Sequence, residues 1–444
     1  MASDPQPSSQ DKGDALADAT RWLAGIDRLP DEVAAKARLL LLDTMGCLVA
    51  GLTHHEVGQF GDALRVAFPG TASWLTSDHA LGPAGLAALG AAAICWDEAC
   101  DGHSGAHGRP ALPVIPALLA LGATQNATLG DVLLALVTGY EIAARAGELW
   151  RIPPGWHVDG SWHSLGVAAA VARLTNGVAA MQPAIEAVAC QIPASLYWPI
   201  THGSVVRNTY PAHAALLGLM AGAAARAGFV MPPDTFAEAR RRILRATDAG
   251  EATPPGRWMI LDGYIKPYAG VRHAHYGVAA TLRLRERHEI APETIESIQL
   301  AVYAEAAQYC NNRAPCTAIQ AQFSMSYAIA AALVLGDLGP AAYADLDHPL
   351  IRALEQRVTV VVDPQRTLRG ARVTLTVAGQ DHTESVDVVA GDPALPMTHD
   401  QTVAKFHRYL DPIVGASRAR DLEQLLLQGE DARAVRACFN SPRA

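Results

Sequence analysis

From about Asp14 to Gly228, apolar residues recur at helical spacing in segments rich in Ala and Leu that break at Gly or Pro. Examples are "DEVAAKARLLLLDTMGCLVAG" (31–51), "LGDVLLALVTGYEIAARAGELW" (129–150) and "AHAALLGLMAGAAARAGF" (212–229). In the first, Asp31 is the expected N-cap and Gly51 the stop. Small side chains dominate these segments, so the helices can approach closely, in a compact bundle or at an extensive subunit interface. Beyond about residue 255 the pattern changes. "SIQLAVYAEA", "VTVVVD", "ARVTLTVAG" and "ESVDVVAG" are β-branched and partly alternating, which predicts strands, while "HAHYGVAATLRLRERH" and "AIQAQFSMSYAIAAALVLGD" between them predict helices. Helical texture returns in "TVAKFHRYLDPIV" and "ARDLEQLLLQGEDARAVRACF". The expectation is a mainly α protein. Residues 14–255 and 405–444 would form one large all-helical domain, residues 258–395 a smaller α+β domain, and residues 1–12 a polar tail.

Composition narrows the class. With 444 residues the chain exceeds the roughly 250–300 at which single cores tend to split, so two domains are expected. Half of the residues are apolar and 18% charged, yet no run of about 18 apolar residues is free of charges or turn signals, which predicts a soluble protein. "MASDPQPSSQDK" has no apolar stretch of the kind a secretion signal carries, so a cytoplasmic location is expected. Seven scattered cysteines without a CxxC pair fit reduced thiols rather than a disulfide framework. A net charge of −9 argues against nucleic acid as partner, and cations for an anionic substrate would have to be local.

Four polar clusters interrupt the helical texture. "CWDEACDGHSGAHGRP" (95–110) gathers Asp97, Glu98, Asp101, His103, His107 and Arg109 among three glycines and a proline. That composition predicts a loop ahead of a helix starting near Pro113. A carboxylate beside an imidazole orients a general base and sets its pKa near neutrality, although a solvated interhelical loop accounts for the same residues. His103 and His107 have metal-ligand spacing only on a helix, which the glycines deny, so no metal is expected. "PPGWHVDGSWHSLGVAAAVARL" offers His157 and His163, each otherwise a helix-terminal or core histidine, and "THGSVVRNTYPAHAALLG" offers His202, Arg207 and His213. "GYIKPYAGVRHAHYG" carries Lys266, Arg272, His273 and His275 near the proposed domain junction, the lysine on an extended stretch before proline. All four share one arrangement, basic and imidazole groups on loops feeding Ala-rich helices, which points to a common site.

As an ordered set these segments, with "LLLLDTMGCLVAG" and "AQFSMSYAIAAAL", resemble the MmgE/PrpD family of 2-methylcitrate dehydratases, cis-aconitate decarboxylases and iminodisuccinate epimerases over nearly the whole chain. The resemblance implies a large helical domain formed by both chain ends, an α+β domain between them, a homodimer, and no metal or organic cofactor. It implies His107 as principal acid/base, Asp97 and Asp101 orienting it, His157 as a second proton-transfer group, and Lys266 at the family lysine of the K-P-Y segment. Arg207 and Arg272, with Lys266, would clamp substrate carboxylates, and His103 and His275 would also contact substrate. Four positions depart from the family pattern: Asp101 where Thr or Asp is found, His163 where glycine is common, Arg207 in place of a lysine, and Gly108 in place of proline. The implied chemistry is that of a lyase or isomerase, 2-methylcitrate dehydratase-like. A proton or CO₂ is lost next to a carboxylate of a small di- or tricarboxylate. An iminodisuccinate-type epimerase and a cis-aconitate-type decarboxylase are alternatives, as are a non-catalytic polycarboxylate-binding homodimer and a metal-dependent hydrolase. Light scattering at micromolar concentration should return the mass of a homodimer; a monomer would contradict the family expectation.

Overall fold

The computed structural model describes residues 15–440 apart from 151–152, 233 and 246–250; the polar tail expected at 1–12 lies outside the described residues. The N-cap of helix Asp31–Gly51 lies one position earlier than expected, because Pro30 takes that place and Asp31 is the first helical residue. There its carboxylate still favours the positive end of the helix dipole. Helix Pro83–Trp96 is almost wholly buried, as its uniformly small and apolar sequence requires of a central helix. Around it lie Asp31–Gly51, His55–Ala67, Ala111–Gln125 and Tyr210–Arg226, and His163–Asn176 and Leu129–Leu149 extend the bundle beyond them. Leu129–Leu149 opens with a reciprocal capping box between Thr128 and Asp131. It packs on His163–Asn176 where two glycines meet: a Cβ on Gly139 would stand 2.7 Å from the carbonyl oxygen of Gly166, and one on Gly166 2.4 Å from that of Gly139.

The smaller lobe holds a four-stranded sheet in the order Val358–Val362, Ile295–Val302, Ala371–Val377, Gln380–Val386. The first pair is parallel, with Leu300 opposite Val360, and the other two are antiparallel. Helices cross over between the parallel strands, as that connection demands. Two sequence expectations shift here. The segment "VYAEA" leaves the sheet after Val302 and becomes helix Ala304–Cys310, and the last strand ends at Val386 instead of running through 387–391. Helix Arg272–Arg287 covers one face of the sheet. The chain is mainly α, a helical lobe with a smaller α+β lobe. Both lobes share one core, since Leu41, Leu89 and Leu118 belong to the same apolar cluster as Ile298, Leu300 and Ile329. No helix among the described residues is long and apolar enough to cross a membrane.

Two buried ion pairs fix the crossings. Helix His399–Val414 lies along Asp31–Gly51, where Lys405 bonds Asp43 at 2.7 Å and the carbonyl of Ala99 at 2.7 Å. The return of the chain end thereby reaches the loop after helix Pro83–Trp96. The segment leading into the second lobe is held on Leu129–Leu149. There Arg145 donates to the carbonyls of Thr253 (3.0 Å) and Arg257 (2.8 Å), and Glu141, its ion-pair partner, accepts from the amides of Met259 (3.1 Å) and Ile260 (2.9 Å). Removing one member of a buried pair strands the other. Arg145→Ala should therefore cost about 3–5 kcal/mol in urea unfolding; a loss below about 1 kcal/mol would mean that water replaces the pair.

Candidate active site

Helix Pro83–Trp96 ends at Asp97, and Glu98 turns the chain through a left-handed backbone conformation (φ 52°) into the loop that precedes helix Ala111–Gln125. The loop is tied down at both sides. Gly102 exchanges backbone hydrogen bonds with Tyr264 at 3.0 and 2.8 Å, and the amide of His103 donates to the carbonyl of Gly108 at 2.8 Å. A Cβ on Gly102 would meet the Tyr264 ring at 2.3 Å, so only glycine permits that pairing. His107 stands at the loop's tip, exposed, with φ 51°.

Behind the loop three cations close on two carboxylates. Glu98 bonds Lys266 Nζ at 2.9 Å, Arg207 Nη2 at 2.5 Å and Arg109 Nη1 at 3.1 Å. Asp159 pairs with Arg109 and stands 3.9 Å from Arg207. All five side chains are buried. Burial alone would raise both carboxyl pKa values, but the facing cations outweigh it and hold Glu98 well below the usual range and Asp159 below it as well. Lys266 also donates to the carbonyls of Glu98 (2.8 Å) and Gly270 (3.2 Å), and burial brings its pKa down despite Glu98.

A cavity of about 340 Å³ lies against this cluster, lined by His107, His157, His273 and Glu305 and by aromatic rings including Trp150, Trp156, Trp162, Tyr197, Tyr309 and Phe323. His157 is positioned by the short strand pairing of Trp156–His157 with Ser195–Leu196. Its Nδ1 accepts the Asp159 amide at 3.1 Å, which assigns the proton of the neutral ring to Nε2. Burial brings its pKa to about 4, with Asp159 opposing, so the ring is neutral at pH 7. His273, the first-turn neighbour of Arg272, bonds the Tyr303 hydroxyl, and burial reinforced by Arg369 and Lys266 lowers it to about 3.

The site residues expected from the sequence fall into two groups. His107 and His157 line the cavity together, whereas Lys266 and Arg207 belong to the ion cluster behind it. Asp97 bonds His54 Nε2 at 2.8 Å, a partner the sequence reading missed. Asp101 is buried, accepts the Ala111 amide at 3.3 Å, and is raised by burial to about 7. Arg272 is held by Asp392 at 2.5 Å and by His275 Nδ1 at 3.1 Å, and His275 Nε2 bonds the carbonyl of Gly270 at 3.3 Å. His103 uses both nitrogens, accepting from the Ala106 amide (3.0 Å) and donating to the carbonyl of Met259 (3.1 Å). His273 was named in its cluster from the sequence without a role, and Glu305, Asp159 and Arg369 were not named at all. Arg369 reaches from the second lobe to Ser104 Oγ at 3.1 Å. Burial alone would lower its pKa, but Tyr264, Tyr303, Tyr276 and the Glu305 carboxylate raise it. Two of the departures noted in the sequence also meet here. His163 Nε2 accepts the Arg109 amide at 3.1 Å, and a Cβ on Gly108 would stand 2.3 Å from that same nitrogen. Among the described residues no three His, Cys, Asp or Glu side chains are grouped to hold a metal ion.

Two family models match the chain, the MmgE/PrpD N-terminal domain over residues 19–252 and the MmgE/PrpD C-terminal domain over residues 268–429. Cis-aconitate decarboxylase from Aspergillus terreus is 24% identical over an alignment that covers 94% of each chain. The cis-aconitate decarboxylase-like protein oryM from Aspergillus oryzae is 25% identical, covering 96% of this chain and 97% of its own.

The buried histidines make stability depend on pH in a direction that can be worked out. His163 is lowered by burial from 6.5 to about 4. Between those values the unfolded chain binds a proton that the folded one does not, so the contribution of His163 is complete above about pH 6.5 and is lost as pH falls toward 4. Against wild type, His163→Gln should flatten the slope of unfolding free energy in that window by about 1.4 kcal/mol per pH unit. Parallel slopes in urea titrations would show that His163 is charged in the folded protein.

Proposed function

The chain belongs to the MmgE/PrpD family, and from that premise we propose that it is a lyase acting on a small carboxylic acid, with CO₂ or water lost next to a carboxylate. The observation that carries the reading is the convergence of His107 and His157 on one cavity from loops 50 residues apart in sequence. A carbon beside a carboxylate is weakly acidic, so either reaction needs a proton acceptor or donor held at that carbon and a donor facing the oxygen on which charge collects. His107, on the exposed loop tip, is assigned the proton at carbon. His157 presents Nε2–H from a ring held neutral, a donor for the oxygen that carries no charge of its own.

In decarboxylation the C–C bond to the leaving carboxylate breaks, its electron pair enters the enolate-like system, and protonated His107 returns a proton to carbon. In dehydration His107 takes the proton from carbon, the C–H electron pair forms the alkene as the C–O bond breaks, and the His107 imidazolium gives that proton to the departing hydroxyl, which leaves as water. The names of the fungal relatives favour decarboxylation. These steps use side chains alone, and the same reading makes the protein a cytoplasmic homodimer without cofactor. Polycarboxylates are the first substrate class to test. Return of the proton to the opposite face would make the site an epimerase, and binding without turnover would make the protein a carrier.

Incubation with cis-aconitate, 2-methylcitrate, iminodisuccinate and monocarboxylic analogues in D₂O separates these outcomes. CO₂ or a new alkene identifies a lyase, deuterium entry without net conversion an epimerase. On the substrate so found, His107→Ala should lower kcat by about 10²–10⁴-fold with a smaller change in KM; near-normal turnover would remove His107 from the chemistry. His157→Gln, which keeps an N–H donor, should retain more activity than His157→Ala. Equal losses would transfer proton exchange to the His157 ring.

A further inference from the structure

The inner cations are already occupied. Lys266 and Arg207 come from opposite sides of the lobe junction and meet at one carboxylate, and that carboxylate is supplied by the protein: Glu98 takes Lys266 on Oε1 at 2.9 Å and Arg207 on Oε2 at 2.5 Å. Arg109, the third cation, is shared between Glu98 and Asp159. This cluster stands directly behind the cavity wall. The Arg207 guanidinium lies 5.3 Å from the centre of the Phe323 ring and Asp159 lies 3.7 Å from His157, both of which line the cavity. On the cavity side the wall is different in kind. Among the described residues lining it there is no Lys or Arg; besides three imidazoles and the carboxylate of Glu305, most of the lining is aromatic, its polar atoms being phenol hydroxyls and indole N–H groups. A carboxylate brought in by a ligand would have to displace a protein carboxylate that is buried and fixed by its neighbours, which exchanges one ion pair for another and adds the cost of stripping water from the newcomer.

We propose that Glu98 is the specificity-determining residue of this site: it stands in for a substrate carboxylate, so the cavity selects an acid with a single carboxylate and a planar unsaturated or aromatic body over di- and tricarboxylates. The aromatic walls suit such a body. Arg369 does not line the cavity, but it bonds Ser104 on the loop that carries His107 and acts electrostatically on His273 and Glu305, which do, so it is the cation beside the cavity that would draw the one remaining carboxylate. The inference rests on the cavity assigned under the proposed function and changes the substrate class expected there.

Calorimetric binding of cinnamate and of cis-aconitate at pH 7 and equal ionic strength tests it. The wild-type protein should bind cinnamate at least tenfold more tightly than cis-aconitate. Glu98→Gln, which keeps the side chain's size and removes its charge, should move the ratio of the two affinities toward cis-aconitate by tenfold or more, a change that a purely structural role would not produce. Tighter binding of cis-aconitate by wild type, absence of cinnamate binding, or an unchanged ratio in folded Glu98→Gln would each overturn the proposal. If that variant does not fold, the wild-type ranking decides alone. Binding is read without turnover. A protein that binds cinnamate and converts no acid would therefore sink the lyase reading while leaving this one standing, and turnover of tightly bound cis-aconitate would do the reverse.

Discussion

Charge neutralisation around Glu98 is the constraint on which the rest of the site depends. Three cations are taken out of water by three separate parts of the chain: Arg109 ends the loop, Arg207 precedes helix Tyr210–Arg226, and Lys266 lies in the segment entering the second lobe. None could stay charged there without a carboxylate in contact, and one unpaired charge in such a place costs several kcal/mol. Glu98 reaches all three only because its backbone adopts φ 52° at the end of helix Pro83–Trp96, a conformation that disfavours any residue with a Cβ. The ion cluster compensates that local strain and at the same time joins the lobes. The loop bearing His107 is therefore anchored from beneath by electrostatics and from the side by the Gly102–Tyr264 pairing.

Much of the fold was legible because helix and strand periods are local properties. The change of texture near residue 255 precedes the segment that holds the sheet, and the structure differs in three places: Asp31 moves inside its helix, the strand at 384–391 stops at Val386, and the end of the segment "SIQLAVYAEA" turns from strand to helix after Val302. The site was legible as a set of loops, since glycine and proline around acids and imidazoles mark where helices cannot continue. Roles were less legible, because a role is fixed by the partner, and the partners are distant in sequence. Glu98 meets residues 109 and 168 positions away. Asp97 meets His54, which follows helix Asp31–Gly51 and carries no local mark of function.

Helical geometry accounts for the exchange of His273 for its neighbours. Arg272 and His275 lie three positions apart and share a face, where they bond each other, while His273 points elsewhere and reaches the cavity. The segment "VRHAHYG" therefore contained the assignment, provided that the helix began at Arg272. Arg369 had no such signal. It sits in a turn before strand Ala371–Val377, and only the folding of one lobe against the other brings it to Ser104. Buried imidazoles elsewhere serve as neutral hydrogen-bond links, His103 between two backbone segments and His275 between the Arg272 side chain and the carbonyl of Gly270. A histidine-rich loop thus needs its second nitrogen accounted for before it is read as chemistry.

Gly108 and His163, two separate departures from the family pattern in the sequence, occupy a single volume in the structure. The imidazole fills the space that a side chain at 108 would need and takes up the Arg109 amide. The two positions are therefore coupled. A side chain at 108 requires the imidazole of His163 to swing aside, and in doing so the ring gives up the Arg109 amide, so a change at either position is felt at the loop that carries His107.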